Sequence, residues 1–173
     1  MVRPVEVPKH SEIGKHLAGA QAFDAFAVPL DGRRRSALEI YIEVMASSPE
    51  WINCLMAVRN RAVGLFGLKP LGRLNDIDTA RKPETYRVGN RVGIFSIVYL
   101  AEREVILVES DRHLEAKVSL CLSGEGQDSS AVLSTVIHVR NLLGHAYLLA
   151  VWPAHKLMFP AMLARFARSR RNA

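Results

Sequence analysis

Residues 113–122 read HLEAKVSLCL, and their alternation decides the fold. Leu114, Ala116, Val118, Leu120 and Leu122 fall on one side of an extended chain, and His113, Glu115, Lys117, Ser119 and Cys121 on the other. One buried face and one wetted face is what an antiparallel sheet covered on a single side requires. The neighbouring stretches Val92–Tyr99, Glu104–Ser110 and Ala131–Arg140 are similarly rich in Val, Ile, Leu, Thr and Tyr. Their connections are short, and SGEGQD at 123–128 has the composition of a hairpin loop. Strands that follow one another through tight turns form a meander. A one-residue change in the hairpin at Asp111 would invert a strand, so the sequence leaves open which faces point inward.

Upstream, Ala22–Leu30 mixes Phe23, Phe26 and Val28 and ends at Pro29-Leu30-Asp31-Gly32, which reads as a strand closed by a turn. Ser36 with Glu39 three residues later forms a capping box, and Leu38, Tyr41, Ile42 and Met45 give the helix behind it one apolar stripe. Ser48-Pro49 opens a second helix. Its stripe reads Trp51, Leu55, Val58, Ala62 and Leu65, and Gly67 is a natural stop. Two helices so closely spaced should form a V over one core. Residues 67–87 show no sustained period and read as a long loop with one irregular edge strand near Thr85–Val88.

The last segment decides what covers the sheet. With Asn141 as cap, Leu142 to about Ser169 would reach ~40 Å as a helix. Leu148, Trp152, His155, Phe159, Met162, Leu163 and Phe166 make its apolar face, while Pro153 and Pro160 predict a kink or break. A long helix with one greasy side must lie on something apolar. The concave face of the sheet is the only surface of sufficient length.

Composition narrows the functional classes. The chain has 173 residues, 49% apolar and 23% charged, which fits one globular domain and excludes a disordered tail or a collagen-like chain. We read residues 20–170 as a single domain and residues 1–19 as a flexible leading segment. The net charge of +6 resides in Arg33–Arg35 and in Arg165, Arg168, Arg170 and Arg171, and the body without them is nearly neutral. A loop cluster and a terminus are not the basic face that specific nucleic-acid binding needs. The first twenty residues hold no continuous apolar run, and Ala146–Ala154 is about half the ~20 residues of a membrane span. A cytoplasmic protein without a transmembrane segment is the expectation.

Candidate site residues each carry a dull reading beside a sharp one. His155 lies on the apolar stripe beside Trp152 and Phe159; it either satisfies a neighbour or orients a ligand in an apolar pocket. His145, ten residues earlier, shares that role if the prolines bend the helix. Trp152, His155, His145, Phe159 and Tyr99 are the ligand-binding candidates. Asp111 and His113, two apart on an extended chain, suit a base with its orienting carboxylate, or equally a turn with Asp111 bonding backbone amides. Glu115 with Arg140, or Lys117 with His138, reads as cross-strand pairing. No phosphate loop, paired-histidine zinc motif, Cys-x-x-Cys or nucleophile elbow is present. Cys54 and Cys121 have no histidine beside them, so neither reads as a nucleophile. No cofactor and no metal site are implied.

The element order is strand, two short helices, antiparallel meander, long C-terminal helix, and it resembles the helix-grip fold of the START and Bet v 1-like superfamily. More narrowly, the chain is similar to the DUF2867 family of uncharacterised bacterial proteins. The residues that carry this are Phe26-Ala27-Val28-Pro29-Leu30, Met56-Ala57-Val58-Arg59-Asn60 running to Phe66-Gly67-Leu68-Lys69, Asp111-Arg112-His113-Leu114, and Arg140-Asn141-Leu142-Leu143-Gly144 through Pro153-Ala154-His155. The resemblance implies an α+β fold. A curved antiparallel sheet of six to seven strands would carry two short helices, with a long helix across its concave face. It also implies a cavity between sheet and helix for a small hydrophobic or amphipathic ligand. The alternative it carries is a cyclase-like or hydrolase-like enzyme on the same frame; a further alternative is an interaction protein, for instance a homodimer, that meets its partner through the outer sheet face or the basic tail.

Overall fold

The structure, a computed structural model, describes residues 1–30, 35–64, 72 and 76–171. Seven strands form one curved sheet: β1 (Arg3–Pro4), β2 (Ala22–Pro29), β3 (Arg91–Val92), β4 (Phe95–Leu100), β5 (Glu104–Ser110), β6 (Leu114–Ser123) and β7 (Ser130–Val139). Their spatial order is β1-β2-β7-β6-β5-β4-β3, and each neighbouring pair is antiparallel. Three helices complete the fold: α1 (Ala37–Ala46), α2 (Glu50–Gly64) and α3 (Leu142–Arg171). The architecture is the α+β helix-grip arrangement, with α3 lying over the concave face of the sheet.

The alternation in β6 sorts the faces as its residues dictate. Val118 and Leu120 enter the main core with Leu107 of β5 and Leu133 of β7. The helices seal this layer with Leu38, Tyr41 and Met45 of α1 and Met162, Leu163 and Phe166 of α3. Ser36 caps α1 as its composition demands: its hydroxyl accepts the Glu39 N–H, and the Glu39 carboxylate accepts the Ser36 N–H at 2.6 Å. Such a cap contributes about 1 kcal/mol. Arg35, next to it, pairs with Glu43 at 2.5 Å.

Four sequence expectations are corrected. The leading segment does not dangle: Val7 and Ile13 are buried on the convex face against Ala25, Ala27, Val132 and Val136. It is fastened by Glu104 of β5, whose carboxylate accepts the N–H groups of Glu12 and Ile13. Short apolar points spaced by prolines carry no periodic signal, which is why it reads as mobile. Second, Thr85–Val88 is not an edge strand; Pro83–Thr85 forms a 3-10 turn, and the edge is β3. Third, the buried side of α2 is turned by one residue: Ile52 is fully buried, while Trp51 and Val58 face solvent. Fourth, of the kink or break expected at Pro153 and Pro160, the break does not occur: α3 runs unbroken for 30 residues. Gly67, the expected stop of α2, lies outside the described residues.

A cavity under the first half of α3

α3 meets the sheet differently along its length. In its second half Phe159, Met162, Leu163 and Phe166 are almost wholly buried. Under its first half the layers part and leave a cavity of about 400 Å³. Small side chains are part of its lining: Ala116 on the sheet lies in the same wall as Ala150 and Ala154 of the helix. The rest of the wall is mostly apolar, including Phe95, Val118, Ile137, Trp152 and Phe159, with Leu55 and Met56 added by α2. A second hollow of about 670 Å³, between Val2, Pro29 and Ala164, carries no ionisable lining residues but Arg168 and Arg170. The histidines and carboxylates lie in the first.

Polar groups enter this wall at three places. At the β5–β6 hairpin, Asp111 Oδ1 accepts the N–H groups of His113 at 2.7 Å and Leu114 at 3.0 Å. His113 Nε2 accepts from Arg112 Nε at 2.8 Å, which leaves Nδ1–H to donate to Asn141 Oδ1 at 3.1 Å. Asn141 in turn caps α3 by accepting the Gly144 N–H at 3.0 Å. The Asp111–His113 pair thus ties a turn to a helix start; the two do not meet as base and carboxylate. At α2, Arg59 Nε donates to Tyr147 Oη at 2.8 Å and the guanidinium lies over that ring.

The third place lies where α3 meets β2 and β7. His155 Nε2 lies 3.1 Å from Thr135 Oγ1 and 3.5 Å from Asp24 Oδ1. The imidazole stacks on Trp152 with centroids 5.1 Å apart and takes the edge of Phe159 at 4.7 Å. Asp24 and Thr135 face each other in the β2–β7 register, so two strands and one helix converge on this point. Both Asp24 oxygens are shut off from solvent without a hydrogen-bond partner.

Of the ligand-binding candidates, Trp152, His155 and Phe159 come together here. His145 is exposed, with Nδ1 against the Asn141 carbonyl at 3.1 Å, and is not part of the wall. Tyr99 is on the opposite face of the sheet, packed against the convex cluster. The cause is a β-bulge between Ile97 and Tyr99: one extra residue flips the alternation, so Ile97 points inward and Tyr99 outward. Asp24 and Thr135 escaped the sequence reading. The available signal was a single acid two residues before Phe26 and four before Val28, on the inward face of an apolar strand.

The cysteines are separate from the cavity wall. Burial, aided by the Glu104 carboxylate, pushes the Cys121 thiol up to about 11, whereas Cys54 is exposed. Excess thiol reagent at pH 8 should therefore label Cys54 quickly and Cys121 only on unfolding, because the thiolate is the reactive form. Equal native labelling rates, read by peptide mass mapping, would contradict this. Among the described residues no group of His, Cys, Asp and Glu could hold a metal ion, and no helix is long and apolar enough to cross a membrane.

Fold and site together define a helix-grip protein with an apolar cavity beneath its long C-terminal helix. The chain belongs to the DUF2867 family, described as a protein of unknown function, whose model matches residues 16–162. Among solved structures it is similar to CalU16 from Micromonospora echinospora, at 12% identity over 84% of this chain and 86% of that one, with a TM-score of 0.34. No curated protein matches it.

Proposed function

We propose that the protein binds a small hydrophobic or amphipathic molecule in the cavity between β6, β7 and the first half of α3. The observation that carries this is the hollow of about 400 Å³ beneath the first half of α3, walled by apolar side chains of both layers with the His155 imidazole set into it. Interiors normally close such space, since each unfilled volume forfeits dispersion contacts. The size lies within the ~300–1,000 Å³ range of small-molecule sites, and an apolar wall with a few placed polar groups is their usual chemistry. The resemblance to START and Bet v 1-like proteins, which enclose a cavity in the same place, supports the same reading.

Native mass spectrometry of protein purified from its own source is the test. We expect an additional small mass that departs on denaturation. A bare protein mass, together with no uptake of neutral apolar compounds offered in excess, would overturn the proposal.

A further inference from the structure

The ionisable side chains of the cavity wall are, with one exception, occupied in holding the fold. Among the described residues, Arg59 bonds Tyr147, Glu109 faces Arg91 at 3.7 Å, Asp111 holds two amides, and His113 is bound at both ring nitrogens. The exception is His155 with Asp24 behind it. Their side chains are 15% and 12% exposed, and the two Asp24 oxygens have no hydrogen-bond partner. A buried carboxylate without partners costs stability and asks for a reason. Packing supplies none, because an apolar residue in line with Phe26 and Val28 would simply extend the core.

Asp24 is absent from the cavity lining, whereas His155 belongs to it. The order is therefore carboxylate, imidazole, cavity, the arrangement in which an acid orients a base and balances the charge it acquires. Trp152 and Phe159 fix the ring plane, and the adjacent cation, Lys156, lies over the Trp152 ring at 5.6 Å. Resting on the binding role proposed above, we infer that His155 accepts the proton of a weakly acidic hydroxyl, a phenol or enol, on the bound molecule. The O–H bond of the ligand breaks, and its proton passes to Nδ1, which has no hydrogen-bond partner among the described residues. Nε2–H stays directed at Thr135 and Asp24. The products are an imidazolium beside the Asp24 carboxylate and a bound phenolate or enolate, and release reverses the step. An aliphatic alcohol is too weak an acid to complete it. A planar phenol also matches the aromatic wall.

4-Nitrophenol is the probe, because its phenol and phenolate forms absorb differently; neutral N-phenyl-1-naphthylamine is the control. Below the pKa of free 4-nitrophenol, the bound probe on the wild-type chain should show a phenolate-to-phenol ratio about tenfold above that in buffer, equivalent to one pKa unit. His155→Gln should hold whatever 4-nitrophenol it binds as the phenol, and Asp24→Asn, which keeps the imidazole in the wall, should lose most of the enrichment. Nitrogen-15 shifts of His155 in the wild-type complex give the same answer without substitution: an imidazolium pattern on binding. The inference is overturned if the control binds but 4-nitrophenol does not, if it binds as the phenol, or if His155→Gln keeps the enrichment. Failure of both probes overturns the binding reading as well.

Discussion

Glu104→Ala is expected to lower stability by about 3–5 kcal/mol, the cost of removing one partner from a buried charged network. The residue is 6% exposed and holds three donors at once. Its Oε1 accepts the Ile13 N–H at 3.1 Å and the Ser119 hydroxyl at 2.8 Å, and Oε2 accepts the Glu12 N–H at 2.7 Å. Truncation strands two amides and a hydroxyl, each left unsatisfied at about 1–3 kcal/mol. It also frees the leading segment from the convex face, because Glu104 reaches across some ninety positions of chain to fasten it. Urea unfolding measures the loss, and hydrogen exchange at the Glu12 and Ile13 amides locates it. Glu104→Gln keeps the shape and one acceptor and should retain part of the stability. A change below 1 kcal/mol in the alanine variant, with those amides still protected, would contradict this role.

Gly144→Ala should destabilise by about 2–3 kcal/mol, as overpacked sites do. Helix propensity alone predicts the opposite sign, since alanine is favoured over glycine by up to about 1 kcal/mol inside a helix. A Cβ built on Gly144 would lie 2.3 Å from the His113 carbonyl oxygen and 2.8 Å from Val139 Cγ1. That oxygen cannot yield easily, because it is backbone and already accepts the Arg140 N–H at 2.8 Å. The start of α3 would be pushed off the hairpin, straining the Asn141 cap and the His113 contacts with it. Thermal or denaturant unfolding reads the sign directly, and a stabilised variant would refute the close approach.

What the sequence disclosed follows from where the physics is local. The face of β6 is legible because strand period and burial agree over ten residues, and the capping box of α1 because Ser36 and Glu39 meet within one turn. The site is less legible, since its parts lie far apart in the chain. His155 stood out as a histidine on an apolar stripe, but its partners come from β2 and β7, and only the pairing of the first long strand with the last brings Asp24 opposite Thr135. Asp111 and His113 looked like a catalytic pair because they are near neighbours in sequence, and that same proximity lets Asp111 close a turn instead. Tyr99 follows the inward-facing Ile97 by two residues, and one bulge turns it to the other face. In α2 the exposed Trp51 outweighed Ile52, although the latter enters the core.

The central claim is that the hollow beneath the first half of α3 is a binding site. Fluorescence titration of the wild-type chain and of Ala116→Phe with N-phenyl-1-naphthylamine tests it most directly, because the new ring would occupy the space beside Trp152 and Val118. Saturable, one-to-one binding to the wild type is expected, and its loss in a variant that remains folded. Equal binding by both chains, or none by either, would contradict it.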